Sequence, residues 1–157
     1  MIIDSGNRTE YPTGAVRDTK EGKGRCDLMP LNVVADFMND EVLELIYDFQ
    51  QNNSNLLVLY CALEKICKRN YDEFDNGIPK KSNMLLDVSL HYEEGALKYG
   101  EYNWQKGIPI QSYIDSATRH YLKHLRRDSD ENHLRAFVWN ILCLIWTVKH
   151  KEELGVE

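Results

Sequence analysis

Long hydrophobic runs are missing from this sequence: the longest, from Ile141 to Trp146, falls far short of the roughly 20 apolar residues a membrane-spanning helix needs. No partner membrane is expected. The apolar stretch of a secretory signal is missing as well, since Asp4 to Arg25 is polar and glycine-containing, and the expected compartment is the cytoplasm. Cysteine is scarce and scattered. Cys26, Cys61, Cys67 and Cys143 form no CxxC pair and sit mostly among apolar residues, which argues against disulfides and a cysteine zinc site. Excess positive charge is also lacking. A net charge of −6 argues against a nucleic-acid coat but leaves room for a small anionic ligand where basic groups cluster. The motifs GxGxxG, GxxxxGKS/T and HExxH do not occur, and no serine or cysteine stands in a nucleophile elbow. Metal-assisted hydrolysis is the enzyme class best supplied with residues.

What is present is helical periodicity on a chain of 157 residues, enough for one domain with its own core. Residues 1–30 hold Pro12, Gly14, Gly22, Gly24 and Pro30 with little apolar pattern, so they read as an irregular arm draped over the core. The all-α domain then occupies residues 31–157, a bundle of about five helices. Apolar residues from Val34 to Phe49 recur at three and four, giving one long helix or two short ones broken at Asn39-Asp40. Ser54 is a candidate cap for the next helix, through Cys67. A third is expected from Ser82 to Tyr99, stopped by Gly100. Ser112-x-x-Asp115 and Asp128-x-x-Glu131 resemble capping boxes for a fourth and a fifth.

Three polar constellations border these apolar stripes. On the third helix, His91, Glu94 and Lys98 share one flank while Glu93 lies nearly opposite. They are read either as a Glu94–Lys98 surface pair beside a core-edge histidine, or as a buried site needing a ligand. On the fifth, Asp130, His133 and Asn140 fall within about a quarter of the wheel. Asp130 and Glu131 suit a helix start, whereas Asn140 inside Phe-Val-Trp-Asn-Ile-Leu-Cys-Leu must find a hydrogen-bond partner if buried. Arg119, His120 and Lys123 gather on the fourth, read either as an Asp115–Arg119 salt bridge on a solvated basic face or, with Lys98, as a phosphate cradle. The loop from Tyr99 to Pro109 carries Asn103 and Trp104, an amide and a ring to read a base or a structural helix corner.

The string from His91-Tyr-Glu-Glu-Gly-Ala-Leu-Lys-Tyr-Gly to Asn103-Trp104 and Gly107-Ile-Pro109, then Asp115-Ser-Ala-Thr-Arg-His120, Asp130-Glu-Asn-His133 and Ala136-Phe-Val-Trp-Asn140, resembles the phage and prophage dATP/dGTP diphosphohydrolase family. Thr13-Gly-Ala-Val-Arg-Asp and Lys23-Gly-Arg-Cys-Asp-Leu-Met-Pro30 look like its N-terminal signature. The resemblance implies hydrolysis of purine deoxynucleoside triphosphates to dNMP and pyrophosphate, as in the MazG-like pyrophosphohydrolases, in phage nucleotide metabolism. It implies a divalent cation, magnesium first with manganese or another transition metal as the alternative, held by Glu93 or Glu94, Asp130 and Glu131. Glu93, Glu94, His120, Glu131 and His133 are the expected catalytic groups, with the histidines as ligands, bases or orienters of ligands. Lys98, Arg119 and Lys123 would neutralise the polyphosphate, while Tyr99, Asn103, Trp104 and Asn140 are candidates for the nucleoside. A homo-oligomer, dimer or higher, is implied by the same likeness. The MazG EExxE helix and its ExxD partner are not matched here, because Leu97 follows Glu93-Glu94. A nucleotide-binding protein without hydrolysis and an HD-type metal phosphohydrolase, for which no His-Asp dipeptide exists, are the alternatives.

Overall fold

A computed structural model describes residues 4–71 and 78–157 of the chain. Helices dominate it. The segment 31–50 forms two helices, α1 (Leu31–Met38) and α2 (Glu41–Gln51), because Asn39 takes a left-handed φ of 49° and Asp40 then caps α2. The Asp40 carboxylate accepts the Val42 and Leu43 N–H groups at 2.9 and 3.1 Å, an N-cap worth roughly 1 kcal/mol. Helix α3 (Leu56–Asn70) follows, with Asn55 rather than Ser54 at its cap position and no side-chain cap bond. Helix α4 (Ile78–Tyr99) begins earlier than Ser82 and ends at Gly100, whose φ is 92°.

The two expected capping boxes are not formed. Helix α5 (Ile110–Arg126) starts directly after Pro109, whose fixed φ suits a helix entry, and so Ser112 and Asp115 lie inside the helix, both buried. Helix α6 (His133–Lys149) is capped by Asn132, which accepts the Arg135 N–H at 2.9 Å. A last short turn, α7 (Lys151–Leu154), follows it. Antiparallel α5 and α6 make the most extensive helix pairing, burying Tyr113, Ile114, Tyr121, Phe137 and Ile141. Each such side chain contributes roughly 1.5–3 kcal/mol on leaving water.

The arm is more ordered than its composition suggests. Strands β1 (Arg8–Glu10) and β2 (Val16–Asp18) pair antiparallel, with Thr9 opposite Arg17. Pro12 and Gly14, at φ 83°, turn the chain between them, and the Tyr11 N–H closes onto the Ala15 carbonyl at 2.9 Å. Strands of three residues are too short for an alternating pattern to show. A 3₁₀ turn at Cys26–Leu28 then leads into α1. Asp27 anchors it: its buried carboxylate accepts from Arg25 at 2.6 and 2.7 Å and from Gln111 of α5 at 2.7 Å.

Candidate functional site

The arm lies across α4, α5 and α6 and closes a cavity of about 680 Å³, a volume that suits a small organic ligand. Its wall reverses the charge of the chain. Among the described residues, Arg17, Lys20 and Lys23 of the arm, Lys98 of α4, and Arg119, Lys123 and Arg126 of α5 face two lining carboxylates, Asp18 and Glu131. The chain as a whole carries −6. A basic pocket on an acidic protein concentrates field for an anion.

Several of these cations are held by the protein itself. Arg17 donates to Asn140 Oδ1 and Ser116 Oγ, both at 3.1 Å, and to the Ser112 carbonyl at 3.3 Å. Its guanidinium also lies over the Tyr113 and Trp139 rings. Arg119 donates to the Gly24 carbonyl at 2.9 Å and pairs with buried Asp115, whose other oxygen accepts the Cys26 N–H at 2.8 Å. These two arginines pin the arm in place. Lys98, only 8% exposed, stands 3.7 Å from Asp4, and Lys123 stands 3.9 Å from Asp130.

At one end of the cavity, the α5–α6 connection folds Glu131 back between His120 and His133. The two Nδ1 atoms are 3.0 Å apart, and Glu131 Oε1 lies 3.2 Å from that of His120 and 3.5 Å from that of His133. His133 Nε2 is 2.6 Å from Asp130 Oδ1. Burial, and after it the His133 ring, hold His120 well below the ordinary histidine range, so it is neutral at pH 7. Burial likewise pushes His91 down to about 4 against the opposing pull of Glu94. Among the described residues two groups gather three metal-capable side chains: His120, Glu131 and His133, and Asp128, Asp130 and His133.

The structure brings most of the sequence-chosen residues to this region. Lys98, Tyr99, Asn103, Arg119, His120, Lys123, Glu131 and Asn140 line the cavity, and His133 and Asp130 stand behind its imidazole end. Others stand apart. Glu93 is exposed, Glu94 is half-buried, and neither lines the cavity or joins a metal-capable group among the described residues. Trp104 packs edge-on against Tyr92 and Trp146, with ring centroids 5.8 and 5.1 Å apart, and is not on the wall. Trp139 takes that place. Asn103 turns its amide to the arm, accepting the Val16 N–H at 2.8 Å and donating to the Val16 carbonyl at 2.7 Å.

Arg17, Lys20, Lys23 and Trp139 also line the cavity, with no role expected for them from the sequence. The signal was in the arm motif Thr13-Gly-Ala-Val-Arg-Asp, which places Arg17 on β2 beside Asn140.

Searches of curated proteins and of solved structures returned no match. A family model described as the N-terminal part of dATP/dGTP diphosphohydrolase matches residues 68–156, more than half of the 157-residue chain. The matched span holds α4, α5, α6 and the α5–α6 connection, which carry Lys98, His120, Glu131, His133 and Asn140 on or beside the cavity. The chain therefore belongs to the dATP/dGTP diphosphohydrolase family.

Proposed function

We propose that the cavity binds a purine deoxynucleoside triphosphate and hydrolyses it to dNMP and pyrophosphate with a divalent cation, in the control of nucleotide pools during phage replication. The observation that carries this reading is the reversal of charge on the cavity wall, seven lysines and arginines against two carboxylates in a chain of net charge −6. A triphosphate is the anion that the family's substrates supply. Lys98 and Lys123, both on the cavity wall, meet the phosphates as point charges. They neutralise the charge that builds on the departing pyrophosphate. Arg17 and Arg119 act one step back, keeping the arm closed over the ligand.

For the nucleoside, the Trp139 and Tyr99 rings are on the wall, while the Asn140 amide is taken by Arg17 and the Ala136 carbonyl. Stacking on an aromatic face tolerates any base, so choice of a purine would rest on hydrogen bonding. The donors that converge at the imidazole end fit a cation, since imidazoles and a carboxylate are all ligands. A cation held there would supply a water of lowered pKa and neutralise phosphate oxygens. Glu131 is the carboxylate common to that cluster and the cavity wall. In the hydrolysis, water oxygen bonds to the α-phosphorus, the bond to the β-phosphate oxygen breaks, and a proton is released.

A nucleotide-binding protein without hydrolysis is favoured by one observation: Glu93 and Glu94, the MazG-like pair, stand off the cavity. Incubating the eight common nucleoside triphosphates separately with the protein and magnesium or manganese separates the readings. Preferential consumption of dATP or dGTP is expected. Saturable binding with no consumption under any metal would leave the binder.

A further inference from the structure

The two imidazoles and the carboxylate at the cavity end have a geometry that a hydrogen bond between histidines does not by itself require. His120 Nδ1, His133 Nδ1 and Glu131 Oε1 form a triangle with edges of 3.0, 3.2 and 3.5 Å. Ligands about 2.05 Å from a tetrahedral ion stand about 3.3 Å from one another. The Asp130 carboxylate, 2.6 Å from His133 Nε2, accepts the proton of that nitrogen, which leaves His133 Nδ1 bare toward the triangle. His120 Nδ1 then carries the proton of the 3.0 Å contact, and a bound cation would displace it. A carboxylate on the far nitrogen is the usual way a metal-binding imidazole is oriented.

We infer that His120, His133 and Glu131 form a transition-metal site, filled by a zinc-, manganese- or cobalt-like ion rather than magnesium, with Asp130 as the positioning residue for His133. Two imidazole ligands decide the class of ion, because magnesium takes oxygen donors and an octahedron of waters. His120 and Glu131 both line the cavity, so a cation held by these three atoms would keep a position facing it. An open position is what distinguishes a reactive site from a structural one. The competing cluster of Asp128, Asp130 and His133 is the poorer site, because Arg126 clamps both oxygens of Asp128 and Asp130 is 44% exposed. The ion's part in hydrolysis rests on the nucleotide reading above, whereas its binding does not.

The test uses the full, untagged, metal-stripped chain without nucleotide, so that loss of hydrolysis and loss of the site are separate results. Cobalt(II) is titrated in and followed by its visible d–d absorption, with magnesium and manganese titrated calorimetrically in parallel. The expected result is saturation at about one equivalent of cobalt with a tetrahedral-type band. Glu131→Gln and His120→Asn, each checked for native helical content by circular dichroism, should lose the band. Asp128→Asn should keep it. Asp130→Asn should keep the stoichiometry and weaken affinity by about 10–100-fold. Absence of a saturable band, a band unchanged in both Glu131→Gln and His120→Asn, or saturable binding of magnesium alone would overturn the assignment.

Discussion

Replacing Asn103 by alanine isolates the contact that closes the arm. The Asn103 side chain is 6% exposed and takes both peptide groups of Val16, at 2.8 and 2.7 Å. Those groups face away from β1, so Asn103 works as a third strand one residue long. Alanine leaves a donor and an acceptor unpaired, at about 1–3 kcal/mol each where water is excluded. Val16 is half-buried and water recovers part of this, so the net loss is set at about 2–4 kcal/mol. For a chain of this size that lowers Tm by about 5–15 °C. Thermal melts followed at the helical circular dichroism band read the loss, and limited trypsin digestion reads the cause, since cleavage within Arg17–Arg25 should quicken. Asn103→Asp should also destabilise, because a carboxylate would face the Val16 carbonyl. A stability change under about 0.5 kcal/mol, accompanied by weaker nucleotide binding, would refute the clamp and restore Asn103 as a base-reading residue.

Gly107→Ala should cost more than about 1–2 kcal/mol in denaturant unfolding, because φ there is +103° and a Cβ would meet Thr13 Cγ2 at 3.0 Å and Val156 Cγ1 at 3.1 Å. Burial raises the Asp27 carboxyl, but Arg25 and Gln111 outweigh it and bring it down to about 2 from an ordinary 3.8. The ionised form therefore adds stability above pH ~4 that disappears as pH falls toward ~2, about 2 kcal/mol in all. Asp27→Asn should flatten that acid limb of the urea midpoint. Glu131→Gln should abolish turnover with little change in Tm, whereas Glu93→Gln, exposed and off the cavity wall, should leave kcat within about twofold. Equal losses in both would return Glu93 to the site. Asn140→Leu should destabilise by about 1–3 kcal/mol, because Arg17 loses an acceptor, and neutrality in a melt would contradict that pairing.

Helix periodicity was legible because α2, α3 and α6 each bury one apolar stripe, and Asn39-Asp40 marked its break by residue type alone. Helix entries were less legible. Ser112-x-x-Asp115 has capping residues, but tertiary partners claimed them: Ser112 takes Lys20 and Tyr11, and Asp115 takes Arg119 and the Cys26 N–H. The hairpin was missed because strands of three residues carry no period. At the site, wheel positions placed His133 and Asn140 on one flank of α6, whereas Asp130, expected on the same helix, lies in the connection before it, and a wheel cannot say what another element brings opposite. That His120 meets His133 follows from antiparallel pairing of α5 and α6 across a short connection. That Arg17 meets Asn140 depends on an arm 123 residues away in sequence. Trp104 and Trp139 were interchangeable by residue type, and only packing separated the core ring from the cavity ring.

In the proposed reaction water is added at the α-phosphorus of a purine deoxynucleoside triphosphate. Incubating dATP or dGTP with the protein and a divalent metal in ¹⁸O-water, then resolving the products by chromatography and mass spectrometry, tests it directly. Attack at the α-phosphorus gives dNMP carrying one ¹⁸O and unlabelled pyrophosphate. Deoxynucleoside with tripolyphosphate, as from an HD-type phosphohydrolase, or label confined to pyrophosphate, would contradict it.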